Sequence, residues 1–442
     1  MATAADPREL LEHSAMNGFQ VMAVVICIAL NALDGFDVLA ISFASPGIAA
    51  EWSINRAELG VVLAMELVGM AIGSITLGGL ADRIGRRPTI LACLVLMTAG
   101  MYMASLSQSI SGLLTVRFVT GLGIGGMLAS TNAMVAEYSN ARRRNLAVIL
   151  MATGYPLGAT LGGSVASVLL QHSDWRAVFE FGAICTGAFF VIVWFWLPES
   201  IEYLCKHPNE KSLLRVNQTL KKMGHETVSE LPAVNGDQPR LNYGALFSDR
   251  FRSLTVLLCF AYFFHIMTFY HILKWIPKIV VDMGYEPSSA GTVLVWANVG
   301  GACGALFLGL FSSRFGLRRL LVILLVIAFL MVSFFGLGQS SLATLSAVSA
   351  ATGFFTNAGV VGFYALLAST FPSEVRASGT GLVIGIGRGG AALGPVVAGI
   401  LFTSGFGLLA TSVVMGLGAL FAAVAILMLR GVLQRHEIAA NV

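Results

Sequence analysis

Residues 78–87 read Gly-Gly-Leu-Ala-Asp-Arg-Ile-Gly-Arg-Arg, and a degenerate copy at residues 309–318 reads Gly-Leu-Phe-Ser-Ser-Arg-Phe-Gly-Leu-Arg. Each copy is a short charged turn between two long apolar segments. A basic turn that recurs at corresponding places in two halves of a chain is typical of a duplicated membrane transporter. The second copy has Ser313 where the first has Asp82, so we expect the two halves to contribute unequally to function.

The composition excludes an ordinary soluble domain. The chain of 442 residues is 56% hydrophobic and only 11% charged, with a mean hydropathy of +0.81, whereas a soluble domain carries about 25% charged residues. The apolar runs do not alternate with polar residues, which argues against a membrane β-barrel. Runs of about 20 residues, long enough to cross a bilayer, begin near residues 19, 58, 89, 110, 145, 176, 253, 288, 318, 341, 377 and 406.

This pattern predicts an all-α, multi-pass protein of the cell membrane, with twelve transmembrane helices in two six-helix halves. The first run keeps two acids and lacks a small-residue cleavage site, so we interpret it as a retained helix and not a signal peptide. The predicted segments are an N-terminal tail (1–18), the first half (19–197), a cytoplasmic linker with short amphipathic helices (198–252), the second half (253–429) and a C-terminal tail (430–442).

Basic residues collect on one side of the predicted membrane. Most of the 27 Lys and Arg fall in the tails, the linker and the loops that share their side. The positive-inside rule therefore predicts that both termini are cytoplasmic. Basic clusters at membrane edges are ordinary topology signals, so we expect no nucleic-acid partner.

The whole chain resembles the major facilitator superfamily, because the turn at 78–87 matches its signature between the second and third spans. A narrower resemblance, to the aromatic acid:proton symporter family, implies import of benzoate-, hydroxybenzoate-, phenylpropionate- or muconate-like acids with protons. The chain departs from that family's pattern at Ser42, where Gly is frequent, and at the additional acid Glu66. The matching motifs are Asp34-Gly-Phe-Asp37, Arg117-x-x-x-Gly-x-Gly123, Glu137-Tyr with Arg142–Arg144, Phe371-Pro-x-x-x-Arg376-Ala-x-Gly379 and Gly387-Arg388-Gly-Gly-Ala-x-x-Gly-Pro395.

Asp34, Asp37 and Glu66 are acids inside predicted spans. Asp34 and Asp37 are three residues apart and so share a helix face, and acids at this depth are costly and usually functional. Two adjacent carboxylates in a low dielectric resist simultaneous ionisation, which makes at least one of them a candidate proton carrier; the alternative is a helix cap beside Gly35. Glu66 could pair with Arg117, relay a proton or face a polar cleft.

Two arginines inside the spans are candidates for anion binding. Arg117 stays charged and therefore requires an anion, either an acid of the first span or the substrate. An ion pair with an acid could open when that acid takes up a proton, or it could be purely structural. Arg388 lies in a glycine-rich stretch with room beside its guanidinium, which suits a bidentate carboxylate. The alternative is that the guanidinium donates its hydrogen bonds to main-chain carbonyl oxygens of the helices. We expect Asp37 and Arg117 to take part in substrate binding as well as in proton coupling.

Aromatic and polar residues of several spans are candidate contacts for a ring-bearing substrate, although most such residues in membrane helices serve packing or the interfacial belt. Lys274 and Trp275 are expected near the outer interface. The candidates are Tyr155, His265, Tyr270, Trp296, Asn298 and Tyr364.

Charged residues around the two turns predict a cytoplasmic gate that touches no substrate and locks the outward-open state. Asp82 can sit near the positive N-terminus of a facing helix. The predicted gate residues are Gly78, Asp82, Arg83, Gly85, Arg87, Glu137, Arg143, Arg314 and Arg376.

No other chemistry is indicated. The six cysteines have no metal or redox spacing, no nucleophile and base pattern suggests hydrolysis, and the extramembrane segments are too short for a catalytic domain. We therefore expect a monomeric transporter without metal or cofactor, whose partners are a small carboxylate, protons and lipid. Two alternatives stay open: a proton symporter of a non-aromatic organic or sugar acid, and a drug/proton antiporter.

Overall fold

The computed structural model describes residues 6–232, 244–248, 250–371 and 375–440, and this part of the chain is helical apart from its connections. Twelve helices, α2–α7 and α10–α15, are long and apolar enough to cross a membrane, which confirms the predicted number of spans. The helices are α1 (Pro7–His13), α2 (Gly18–Trp52), α3 (Arg56–Ile84), α4 (Arg86–Ser105), α5 (Ile110–Tyr138), α6 (Arg144–His172), α7 (Arg176–Trp196), α8 (Ile201–Lys206), α9 (Glu210–Lys222), α10 (Arg252–Asp282), α11 (Pro287–Phe315), α12 (Leu317–Phe335), α13 (Leu342–Thr370), α14 (Arg376–Thr403) and α15 (Leu408–Ala440).

Polar caps begin several of the spans. Asn17 and Asn55 form capping boxes with Gln20 and Glu58 at the starts of α2 and α3, and such boxes satisfy free N–H groups of the first helical turn. The two repeated turns end in a glycine with positive φ, +108° at Gly85 and +81° at Gly316. L-residues with a side chain rarely adopt this conformation, so the repeat in the sequence is also a repeat of backbone geometry.

We call α2–α7 the N-terminal half and α10–α15 the C-terminal half. Within each half the spans pair in the same way, α2 with α6 and α3 with α5, then α10 with α14 and α11 with α13. Between the halves, α3 packs on α14 and α6 packs on α11, with a smaller contact of α2 with α10. The structure therefore has a two-fold pseudo-repeat with an interface through its centre.

The described part of the segment between the halves contains α8, α9 and a 3-10 turn at Gly244–Phe247. Together with α1 it builds a small apolar cluster that includes Leu11, Leu204 and Leu220. Residues 233–243 and 249 of the predicted linker lie outside the described residues, as do residues 1–5 and 441–442 of the predicted tails. We call the end of the bundle that carries α8 and α9 the linker end, and the other end the opposite end.

Candidate functional site

Close helix contacts set the depth of the acidic residues. A side chain at Gly35 in α2 would overlap the main chain of Tyr155 in α6, and one at Gly121 in α5 would overlap the carbonyl oxygen of Glu66 in α3. Small residues let membrane helices approach this closely. Arg117 lies one turn before Gly121, so the α3–α5 contact brings its side chain to the level of Glu66.

The guanidinium of Arg117 is fully buried and contacts four neighbouring helices. Its Nη2 lies 2.5 Å from Glu66 Oε2 and donates to the main-chain oxygen of Asp37 at 3.0 Å. Its Nη1 lies 3.2 Å from the sulfur of Met101, and its Cζ lies 5.3 Å from the ring centroid of Phe179. Of the partners that the sequence left open for Arg117, the structure places Glu66 in the ion pair.

The carboxylates of Asp34 and Asp37 are buried, and neither has a hydrogen-bond partner. Asp37 lies within electrostatic range of Arg117, and Asp34 lies within range of Arg388 in the other half. An ionised carboxylate that is buried without hydrogen bonds is costly. Both side chains can therefore relieve this cost by taking up a proton.

Lys274 and Trp275 are buried among neighbouring helices. A run of about 20 residues from 253 would end just before Lys274, but α10 has 31 residues and continues to Asp282. Lys274 is fully buried, its Nζ donates to the main-chain oxygen of Val38 in α2, and it lies 3.8 Å from Glu66 Oε2. Glu66 is thus shared by two cations, one from each half.

Arg388 in α14 lies among four tyrosines and has no ion pair with any carboxylate of the described chain. It is partly buried, and its guanidinium is within electrostatic range of the phenol groups of Tyr155, Tyr262, Tyr270 and Tyr364. The Tyr262 hydroxyl donates to that of Tyr364 at 3.2 Å. A partly accessible cation with tyrosines within electrostatic range can hold an anionic group and the ring attached to it.

Sequence reasoning missed Tyr262 among these four. The available signal was its position eight residues before Tyr270, which places both residues on one stripe of α10. A side chain at Gly387 would overlap the Tyr262 ring. The glycine beside Arg388 therefore makes room for a tyrosine of α10.

Three further candidates have partners of their own or face outward. His265 is buried, and its Nε2 pairs with the carbonyl oxygen of Thr356 at 2.9 Å. Asn298 is also buried, and its Nδ2 donates to the carbonyl oxygen of Leu294 at 2.9 Å. Trp296 is 48% exposed on α11. Among the described residues, no hydrogen bond or ion pair joins these three side chains to the buried charges.

The two halves are held together at the opposite end. Arg56 in α3 donates to Asp282 in α10 at 2.9 Å. A side chain at Gly60 would overlap the carbonyl oxygen of Pro395, and one at Gly399 would overlap that of Arg56, so α3 and α14 are in main-chain contact. Among the described side chains, no hydrogen bond or ion pair joins the halves at the linker end. The bundle is thus closed at the opposite end.

Part of the predicted gate forms a charge cluster at the linker end of the N-terminal half. Arg86 Nε donates to Glu137 Oε1 at 2.8 Å, and Asp82 lies 3.5 Å from Arg86. Glu199 accepts from the main-chain N–H groups of Arg86 and Arg87 at 3.0 and 3.2 Å, which caps the start of α4. Burial raises the pKa of the Glu199 carboxyl despite these hydrogen bonds. Sequence reasoning assigned Glu199 no role.

The other predicted gate residues stand apart. Arg83, Arg143 and Arg314 are exposed, and none has an ion pair within the described part of the chain. Arg376 is exposed and donates to the carbonyl oxygen of Phe371 at 3.1 Å. The structure thus gathers Asp82 and Glu137 around Arg86. It leaves Arg83 and Arg143 of the first half, and Arg314 and Arg376 of the second half, outside this cluster.

Twelve membrane-spanning helices in two similar halves, with buried charges at the interface between them, define a multi-pass transporter of the cell membrane. It is a transporter and not an enzyme. The chain belongs to the major facilitator superfamily, whose family model matches residues 26–285 and 258–440.

Several relatives that match nearly the whole chain are named as transporters of aromatic acids. The chain is 30% identical over 433 residues to the gallate transporter of Pseudomonas putida, covering 96% of this chain and 94% of the relative. It is 28% identical to the 4-hydroxybenzoate transporter PcaK of Acinetobacter baylyi, covering 90% and 88%. It is 27% identical to the 3-(3-hydroxy-phenyl)propionate transporter of Escherichia coli, covering 92% and 94%. These names support the aromatic acid transporter family to which the motifs pointed.

Solved structures share the fold. A D-xylose-proton symporter superposes with a TM-score of 0.71 at 17% identity, covering 92% of this chain and 97% of that chain. A bacterial homologue of the lysosomal transporter Spinster, in an inward-facing and occupied conformation, gives a TM-score of 0.72 at 16% identity, covering 96% and 99%. At these sequence identities the similarity shows the fold alone.

Proposed function

We propose that this chain imports an aromatic carboxylate together with protons by alternating access. The observation that carries the proposal is the group of buried charges at the centre of the interface, in which acids from α2 and α3 face bases from α5, α10 and α14. Charges inside membrane segments are costly and mark substrate or proton pathways. The names of the relatives favour an aromatic acid as the substrate.

The substrate carboxylate binds Arg388 in this proposal. Arg388 has no carboxylate partner within the described chain, and four tyrosines lie within electrostatic range of it. An arginine fork binds a carboxylate through two parallel hydrogen bonds, while the rings of Tyr155 and Tyr270 offer faces and hydroxyls to an aromatic substrate. His265 and Asn298 bond to main-chain carbonyls and Trp296 is 48% exposed, so these three have a smaller part in the proposal.

Asp34 and Asp37 are the proton carriers in this proposal. Both are buried without hydrogen bonds, and each lies within electrostatic range of an arginine, Arg388 for Asp34 and Arg117 for Asp37. Protonation of Asp34 would weaken its attraction for Arg388 and free that cation for the substrate. This link would make proton uptake and carboxylate binding favour each other.

The linker end is the cytoplasmic end in this proposal, because the basic loops and the linker lie there. Closure at the opposite end then corresponds to a state open toward the cytoplasm. The cluster of Asp82, Arg86 and Glu137 would meet the C-terminal half only when the linker end closes. We further propose that the two halves move as units joined by the segment 198–252, and that the transporter is a monomer.

The test is uptake of labelled acids into vesicles under an imposed pH gradient. Gallate, 4-hydroxybenzoate and 3-hydroxyphenylpropionate represent the aromatic class, muconate represents a related unsaturated acid, and gluconate represents the sugar acids. Accumulation of an aromatic acid that collapses with a protonophore is the expected result. Gradient-driven accumulation of gluconate alone would favour the sugar-acid alternative, and gradient-driven efflux of a drug would favour an antiporter.

A further inference from the structure

Lys274 is the least expected charge in the interior, since no motif marks it. Its side chain is fully buried and reaches out of its own half. Both of its polar contacts lie in the N-terminal half: the main-chain oxygen of Val38 in α2 and the carboxylate of Glu66 in α3. The lysine therefore ties α10 to two helices of the other half.

The C-terminal half offers Lys274 no replacement partner. Between residues 252 and 442 the sequence has four acids, and none lies inside a span away from its ends. Asp282 is eight residues along α10 and is already paired with Arg56 and Lys278. The other three are Glu286, Glu374 and Glu437. If the halves part at the level of Lys274, its charge loses its only carboxylate.

The charges at the interface are divided unequally between the halves. The N-terminal half contributes three buried acids, Asp34, Asp37 and Glu66, and one buried base, Arg117. The C-terminal half contributes two bases, Lys274 and Arg388. The halves thus attract each other, and separating a buried ion pair leaves an uncompensated charge that is strongly unfavourable.

We propose that the Glu66–Lys274 ion pair is the buried latch of the opposite end, so that Lys274 is a positioning residue that acts through Glu66. The proposal rests on the alternating access proposed above. Separation of the halves breaks the pair and leaves the Lys274 charge without a carboxylate. The latch would thus set how readily the bundle opens at the opposite end.

Charged and titratable groups from four helices lie around Glu66. Arg117 stays beside it in every state, because both residues belong to the N-terminal half. The charged and titratable groups that face Glu66 are Asp34 and Asp37 from α2, Arg117 from α5, Tyr155 from α6, and Tyr270 and Lys274 from α10.

A cysteine at Ala64 can report opening without any substrate. Ala64 is 2% exposed and lies one turn after Gly60, on the side of α3 that faces α14. The Ala64→Cys reporter is introduced into a variant without the six native cysteines, and the rate of labelling by a hydrophilic thiol reagent is measured. The reagent should reach the cysteine only when the halves part at this level.

Lys274→Met is expected to raise the labelling rate about tenfold or more, because it leaves Glu66 without its partner in the other half. Glu66→Gln, which mimics the protonated acid, should raise it in the same direction. When Lys274→Met is added to the Glu66→Gln variant, it should have little further effect, as expected for two residues that act through one contact. Glu180→Gln, an exposed acid of α7, is the matched control and should leave the rate unchanged.

An equal effect of Lys274→Met in the parent and in the Glu66→Gln variant would overturn the latch, as would an unchanged rate in both single variants. If Lys274→Met does not fold, Glu66→Gln tests the same pair from the other side, with Lys274→Arg expected to label like the parent. The readout needs no substrate, so failure of the latch leaves the proposed uptake standing. Failure to accumulate any aromatic acid would likewise leave the labelling result intact.

Discussion

Arg56 at the start of α3 and Asp282 at the end of α10 form a 2.9 Å ion pair that joins the two halves at the opposite end. Its side chains are 43% and 28% exposed, in contrast to the fully buried Glu66–Lys274 pair. Exposed pairs contribute about 0.2–1 kcal/mol. The Arg56–Asp282 pair is therefore the weaker of the two ion pairs between the halves, and it is the one that dissolved salt can screen.

Asp282→Asn should raise thiol labelling at the Ala64→Cys reporter by no more than about fivefold, since an exposed pair stabilises closure by about 1 kcal/mol or less. The difference from the parent should shrink at high salt, because exposed charges are screened. Asp174→Asn is the matched control, since Asp174 pairs with Arg176 at the same end but within one half. An increase as large as that of Lys274→Met would contradict this ranking.

Asp34→Asn and Asp37→Asn should each abolish accumulation driven by a pH gradient, because an amide cannot carry a proton through the cycle. At least one of the two variants should still exchange labelled for unlabelled substrate, since exchange needs no net proton movement. Glu180→Gln serves as the control for an acid on a span that faces away from the site. Accumulation at the parent's level in both aspartate variants would remove the proton-carrier assignment.

Arg388→Lys should weaken binding of the substrate acid roughly ten- to a hundredfold, since loss of a charge-assisted hydrogen bond costs about 1.5–3 kcal/mol. The charge remains, but the fork that matches a carboxylate is lost. Binding of the acid and of its amide analogue is compared by competition. An acid-to-amide preference identical in the variant and the parent would show that Arg388 does not hold the carboxylate. Arg314→Lys, at an exposed arginine of the linker end, is the control.

Gly121→Ala should destabilise the protein by about 1–3 kcal/mol, the usual cost of overpacking, because the new methyl group would overlap the carbonyl oxygen of Glu66. Gly79→Ala in α3 has open space around the added methyl group and should be neutral or slightly stabilising, since alanine favours helix. Thermal unfolding in detergent measures both. Equal stability of the two variants would mean that the α3–α5 contact adjusts freely.

The fold was predictable from the sequence to the level of its repeat. Hydropathy alone gave the number of spans, since each run must be long enough to cross the bilayer and apolar enough to stay there. The repeated turn predicted the two halves. Gly85 and Gly316 confirm the repeat, because both have a positive φ angle. Which helices meet across the interface could not be read from hydropathy, because an apolar face toward lipid and one toward a neighbouring helix have similar composition.

The buried charges were predictable as a set but not as pairs. Asp34, Asp37 and Arg117 were found because charge inside a span is conspicuous, and pairing with Arg117 was one of three roles left open for Glu66. The burial of Lys274 beside Glu66 was not predicted, because a span of standard length ends before Lys274, whereas α10 runs 31 residues. Helix length depends on tilt and on packing against neighbours, and these are tertiary properties that a single sequence does not display.

The division of charge between the halves has an electrical consequence. With every group ionised, the N-terminal half holds an excess of two negative charges at the interface and the C-terminal half an excess of two positive charges, so the interface as a whole is neutral. When the empty transporter reorients, these charges move together and carry no net current. We therefore expect membrane potential to leave the empty return step unchanged and to act only on the sum of cargo and protons, at about 2.3 kcal/mol per elementary charge per 100 mV. A monocarboxylate that travels with a single proton would then cross without electrical work.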